Sequence, residues 1–173
     1  LCSRNDTRRR LNNSMREAAG MNGAVLPMPG ERSIILRNDG RLGIVNGQFV
    51  TMADVREETV VSFSAELYDE GGVPVGPPAK GGGAARQQVY RGPFDDHVKF
   101  IDDRHKNDWQ LRRGLVEADH GRAITIHKAQ GSEFDSVVLW HEEMPGGAEI
   151  NRKLLYTGIT RAANKLCIVA NDD

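Results

Sequence analysis

The sequence predicts an α/β protein whose chain is interrupted by a small antiparallel β-barrel. Two observations carry this expectation. Residues 123–170 read strand, polar loop, strand, helix, strand, the order of a mostly parallel sheet with a helix against it. Residues 28–95 instead hold short apolar runs separated by turn signals, with no helix between them. At 173 residues the chain can bury a core, as one domain or one domain with an insertion.

Taken in order, Leu1 and Cys2 read as the end of a strand, and Asp6 or Thr7 is placed to cap a helix over residues 7–19 that Gly20 closes. Leu11, Met15 and Ala18 or Ala19 recur at helical spacing, which turns Arg8, Arg9, Arg10, Asn13 and Arg16 outward as a solvated face. Residues 33–37 read as a strand. Asn46-Gly47, between the apolar runs 42–45 and 48–52, is the signature of a type I′ hairpin turn. Residues 59–67 and 87–90 add two more strands, and the set implies a barrel of the SH3-like kind. Residues 71–86, rich in Gly and Pro, read as a mobile loop at the barrel's edge. Gly81, Gly82 and Gly83 lack the Gly-Lys-Ser/Thr ending and the flanking strand and helix of a phosphate loop.

Residues 98–103 mimic a magnesium-binding strand, but no phosphate loop precedes them; Asp102, Asp103, His105 and Asp108 read as an exposed turn before an element near Trp109. Residues 135–140 are apolar enough for a central strand, Pro145-Gly146-Gly147 breaks it, and helix 151–163 and strand 165–170 complete the chain.

Lys and Arg total 23 against 24 Asp and Glu, so a nucleic-acid surface here is a local patch rather than a whole-molecule field. Cys2 and Cys167 lack metal-ligand spacing and are expected to be buried free thiols in a reducing compartment. No metal site is expected. No apolar run approaches the roughly 20 residues that span a bilayer, and the expected setting is cytoplasmic, away from membranes. The chain opens on Leu1 inside a strand, as a piece of something longer would.

The chemistry concentrates at residues 123–134. Thr125, His127, Lys128, Gln130 and Glu133 bring a hydroxyl, an imidazole, an ammonium, an amide and a carboxylate together beside Gly131. Alternation sets Ile124 and Ile126 on one face and Thr125 and His127 on the other. The set suits phosphate or sugar contacts; a solvated loop between two strands is the alternative. On helix 151–163, Leu155, Ile159 and Ala162 fall on the sheet side, whereas Thr157 and Arg161 lie together on the opposite side and turn Arg161 off the core. Gly158 costs about 1 kcal/mol against alanine in mid-helix, which points to close packing or to the close approach of a ligand.

The run Thr-Ile-His-Lys-Ala-Gln-Gly-Ser-Glu-Phe-Asp from Thr125, followed by Leu-Leu-Tyr-Thr-Gly-Ile-Thr-Arg-Ala from Leu154, closely resembles motifs V and VI of superfamily 1 DNA helicases, in particular the RecD-like branch. Residues 1–5, with Leu11, Asn12 and Arg16, resemble the weaker motif IV region, and residues 30–47 the SH3-like insertion of that branch. The resemblance implies a second RecA-like domain, of the phosphate-loop NTPase type without its phosphate loop. Its expected limits are residues 1–27 for the start, 28–95 for the inserted barrel and 96–173 for the remainder.

The resemblance further implies the C-terminal motor portion of an ATP-dependent DNA helicase that moves on single-stranded DNA, usually 5′ to 3′. Arg161 would be the arginine finger. Gln130, Gly131 and Glu133 would border the nucleotide, with Glu133 accepting from the ribose. Thr125, His127 and Lys128 would meet strand phosphates, while Tyr156, Thr157 and Thr160 would position Arg161. Arg4 and Asn5 are further candidates for nucleotide or DNA contact. ATP and Mg2+ would be cofactors of the complete protein, and none is expected to bind tightly to this segment. The implied partners are single-stranded DNA and a first RecA-like domain of the same polypeptide, without which the segment is expected to be inactive. The alternative is a non-catalytic nucleic-acid-binding or interaction module derived from a helicase.

Overall fold

The computed structural model describes residues 1–21, 23–95 and 112–170. Asp102, Asp103, His105, Asp108 and Trp109 lie outside the described residues. The chain divides into two compact units, one made of Leu1–Ala19 and Arg122–Asp173, the other of Gly20–Gly121.

In the first unit, helix α1 (Asn5–Ala18) starts earlier than expected, with Arg4 as its N-cap and no side-chain cap from Asp6 or Thr7. Its free N-terminal donors are met from far along the chain. Ser3 N and Arg4 N donate to Glu142 Oε1 at 3.0 and 2.8 Å, and the Thr7 hydroxyl donates to Glu142 Oε2 at 2.5 Å. A carboxylate there also meets the positive end of the helix dipole. The buried face of α1 is Thr7, Asn12 and Arg16, while Met15 is exposed, contrary to the apolar stripe expected at Leu11 and Met15. The reason is a buried peptide edge. Asn12 Nδ2 donates to Ala123 O at 3.0 Å and Ala123 N donates to Asn12 Oδ1 at 2.8 Å, a demand that no apolar side chain satisfies.

Strands β6 (Phe134–His141) and β7 (Ala162–Ala170) pair in parallel. Trp140 N donates to Leu1 O at 2.8 Å, and Cys2 bridges Thr125 in parallel, which carries the arrangement across the sheet. The strand expected before the polar loop thus shrinks to one bridge. Lys128 N donates to Thr125 Oγ1 at 3.3 Å, and this cap bends the chain into the one-turn helix α2 (Ile126–Ala129). Helix α3 (Ala148–Ile159) packs Leu154, Leu155 and Ile159 with Ile126, Val137 and Leu139. A Cβ on Gly158 would meet Leu139 Cδ1 at 2.9 Å and Ile126 Cδ1 at 3.4 Å, so the glycine serves packing. Cys2 is buried as expected, but Cys167 is exposed, on a strand β7 of which no residue is buried.

The second unit is a five-stranded antiparallel sheet in the order β4-β3-β2-β1-β5, made of β1 (Glu31–Ile35), β2 (Phe49–Glu57), β3 (Ser62–Tyr68), β4 (Arg86–Tyr90) and β5 (Ala118–His120). Its core includes Ile35, Val50, Met52, Phe63, Leu67 and Val89. No closed barrel is found among the described residues: the sheet runs from β4 to β5, and Val89 meets Val116 in an isolated bridge. Strand β5 lies past residue 95 yet pairs with β1, Ser33 opposite His120. The type I′ hairpin at Asn46-Gly47 is not formed. Gly47 has φ +90° while Asn46 keeps an ordinary φ, and Gln48 N donates to Val45 O at 3.1 Å, a type II pattern inside a longer connection. The Gly- and Pro-rich residues 71–86 fold back through the bridges Tyr68 to Pro74 and Pro78 to Ala84, burying Val75 and Ala84.

Candidate functional site

The sequence motifs meet in the first unit, where the loop after α2 runs beside the end of α3. The expected helix 151–163 ends at Ile159, so Arg161 lies beyond the C-cap Thr160 rather than on an exposed helical face. Its guanidinium folds back. Nε donates to Thr157 O at 3.2 Å, one terminal nitrogen to Ser132 O at 3.0 Å and the other to Thr160 Oγ1 at 3.2 Å. All three acceptors are neutral oxygens, so among the described residues the cation has hydrogen bonds without a neutralising carboxylate. The Thr160 hydroxyl in turn donates to Thr157 O at 3.1 Å, and Phe134 N donates to Arg161 O at 2.8 Å. Arg161 therefore ties the end of α3 to the loop that leads into β6.

The loop residues Gln130 and Glu133 are exposed, and Gly131 sits at φ +88° between them. His127 is exposed, Lys128 is half-buried and Thr125 is buried. The Thr125 hydroxyl oxygen accepts from Lys128 N at 3.3 Å, a bond that uses its acceptor and not its O–H. Burial, and secondarily Arg8, holds the Lys128 ammonium below the usual lysine range. A cavity of about 220 Å³ opens between α2 and α3, lined by Ile126, His127, Gln130, Lys153, Leu154 and Thr157 among others.

The remaining candidates divide. Thr157 O and Thr160 Oγ1 accept from Arg161, whereas the Tyr156 side chain takes no part in that network and is 69% exposed. Arg4 is engaged by its own chain, donating to Glu143 O and, at 3.5 Å, to Met144 Sδ, while Asn5 is exposed at the first position of α1. Among the described residues no group of three His, Cys, Asp or Glu is placed to hold a metal ion.

Three residues contribute in ways the sequence reading did not assign: Ser132, Asn12 and Glu142. Ser132 acts through its carbonyl, which carries no side-chain signal. Asn12 and Glu142 act on segments 111 and 138 residues away, beyond any local pattern.

Residues 120–169 match the UvrD-like helicase C-terminal domain, a span that includes both motifs. The resemblance to superfamily 1 helicases of the RecD-like branch holds. The RecD subunit of the RecBCD enzyme of Mycobacterium tuberculosis is 45% identical over 62 residues, covering 35% of this chain and 10% of that protein. A probable conjugal transfer protein TraA of Sinorhizobium fredii is 25% identical over 133 residues, covering 77% of this chain and 8% of its own length. The Bacteroides Pif1 helicase in complex with ADP-AlF3 and ssDNA matches with TM-score 0.53 at 15% identity, over 99% of this chain and 39% of that one. Bacteroides Pif1 bound to ssDNA gives TM-score 0.52 at 13% identity, over 97% and 39%. The α/β fold is accordingly one shared with these Pif1 helicase structures. The chain spans between 5% and 10% of the length of the curated relatives it matches. Among the described residues no helix is long and apolar enough to cross a membrane.

Proposed function

We propose that this chain is the C-terminal motor portion of an ATP-dependent DNA helicase that translocates on single-stranded DNA in a cytoplasmic setting, with Arg161 as its arginine finger. The observation that carries the reading is the guanidinium of Arg161, held by three neutral oxygens beside the loop 130–133. A cation kept without a carboxylate partner is poised to take an anion, and exchanging the Ser132 carbonyl for a phosphate oxygen replaces a neutral acceptor with a charged, stronger one.

In this reading Gln130, Gly131 and Glu133 border the nucleotide, Glu133 accepting from a ribose hydroxyl. The Thr125 O–H, His127 and Lys128 meet phosphates of the strand. Thr157 and Thr160 fix the rotamer of Arg161, and Arg4 orients the turn 142–144. Bound ATP with Mg2+ supplies the phosphoryl group whose transfer drives the motor; the phosphate loop that cradles it is proposed to belong to a first RecA-like domain. Arg161 moving off Ser132 O would loosen the loop that joins the nucleotide-facing residues to His127, which gives the two sites a physical link. The antiparallel unit is proposed to be the SH3-like insertion of the branch, its sheet open, with the chain leaving the motor domain near residue 19 and returning near residue 122 rather than at 27 and 95.

The test is made in a polypeptide carrying this segment together with a phosphate-loop domain. Arg161→Ala lowers DNA-stimulated ATP hydrolysis by about 10³- to 10⁵-fold with strand affinity retained. An unchanged rate removes Arg161 from the role.

The alternative, in which the antiparallel unit alone binds nucleic acid, is disfavoured by its charge pairing. Arg32 pairs with Glu70, Arg37 with Glu117, Arg41 with Asp39, and Arg91 with Asp95. Two of its aromatic residues are also engaged, Phe63 fully buried and Phe49 covered by the Arg32 guanidinium at 3.6 Å. Sequence-tolerant strand binding relies on free aromatic faces and free cations.

A further inference from the structure

Helix α3 turns one side to the core, and its other side presents features that the roles above leave unused. Tyr156 is 69% exposed, and among the described residues its hydroxyl makes no hydrogen bond. Arg152 is exposed and, among the described residues, has no ion pair or hydrogen bond. Lys153 pairs with Glu149 at 2.7 Å, but both side chains are more than two-thirds exposed, so the pair is weak and easily exchanged for another anion. Arg152, Lys153, Tyr156 and Thr157 line an open hollow of about 440 Å³. Lys153 and Thr157 also line the cavity that reaches His127 and Gln130, so this open trough shares a wall with that cavity.

We propose that this trough binds single-stranded nucleic acid, with a base stacked on Tyr156 and flanking phosphates held by Arg152 and Lys153. An exposed aromatic ring beside two cations one residue apart is the pairing that sequence-tolerant strand binding uses. A leucine at position 156 would offer burial without a π-face, and a lone lysine pair would offer charge without a platform. A free nucleoside triphosphate is the poorer occupant. Its clustered phosphates call for several convergent N–H groups, whereas the mid-helix N–H groups of α3 are spent within the helix. A strand carries one phosphate per nucleotide, which suits separate side-chain cations. The trough extends the strand path proposed at His127 but is carried by different residues.

The test uses the full 173-residue chain and a fluorescein-labelled oligothymidylate, read by fluorescence anisotropy across a salt series. Tyr156→Ala weakens binding by about tenfold, and Tyr156→Phe, which keeps the ring, stays within about twofold of the parent. Replacing Arg152 and Lys153 together by Gln lowers affinity and makes the slope of log K against log salt shallower by about 1.4, or about 0.7 per cation. Far-UV circular dichroism melts confirm that these exposed substitutions leave the fold unchanged. Four results overturn the inference: no binding by the parent chain at low salt; no effect of Tyr156→Ala; equal losses for Tyr156→Ala and Tyr156→Phe; or loss of a fluorescent ATP analogue while oligothymidylate binding persists. A His127→Ala variant that weakens strand binding beside a Tyr156→Ala variant that does not would leave the function proposed above intact and remove the trough.

Discussion

Cys2 and Cys167 show how placement decides the chemistry of one side-chain type. Burial first, aided by the Glu142 carboxylate and opposed by the neighbouring amino group and by Arg8, pushes the Cys2 thiol up from its usual 9.0 to about 11. Since the thiolate is the reactive form, a maleimide labels Cys167 on the native chain and reaches Cys2 after unfolding, as peptide mapping would show. The pH sign follows from the same shift. The unfolded chain loses this proton near pH 9 and the folded chain near 11, so the contribution is complete below pH 9 and stability declines as pH rises from 9 to 11. Urea unfolding midpoints across that window should fall for the parent and fall less for Cys2→Ala; equal slopes would assign the decline to other groups. The same residue-scale reasoning makes Arg161 notable, since three neutral acceptors hold it where carboxylates hold Arg37, Arg41 and Arg91.

Elements are joined here by polar clamps as much as by apolar contact. Asn12 holds both backbone groups of Ala123 and so fixes α1 against the segment that leads into α2. Asn12→Ala strands a buried donor and a buried acceptor, and the unit should lose about 2–4 kcal/mol in chemical denaturation. A loss within error would show that water replaces the clamp. The helices and strands themselves were largely legible: helical spacing located α1 and α3 to within a few residues, apolar runs located β6 and the start of β2, and alternation located β3 and β4. The misses have physical causes. The strand expected to lead into the polar loop gave way to a Thr125 cap, and the hairpin at Asn46-Gly47 gave way to a connection whose ends are set by the pairing of β1 with β2.

For the whole molecule, the 173 residues contain no G-x-x-x-x-G-K-[ST] motif, and the chain is expected to hydrolyse no ATP by itself. A phosphate-release assay on the purified chain, with and without single-stranded DNA, checks this; turnover that copurifies with the chain would overturn it. The sequence alone carried the resemblance to superfamily 1 helicases, because motifs V and VI are short contiguous runs in which residue identity and spacing carry the chemistry. Thr125, His127, Gln130 and Arg161 were named from those runs. Tertiary structure decided what each side chain is free to do. It left the Tyr156 side chain out of the Arg161 network, engaged Arg4 with its own backbone, buried Thr125 as the cap of α2 and laid Arg161 on the carbonyl of Ser132. Among the described residues it shows a five-stranded sheet and no closed barrel where a barrel was expected. These outcomes depend on buried peptide groups finding partners more than a hundred residues away, as Ala123 does in Asn12, and local pattern carries no record of such distant demands.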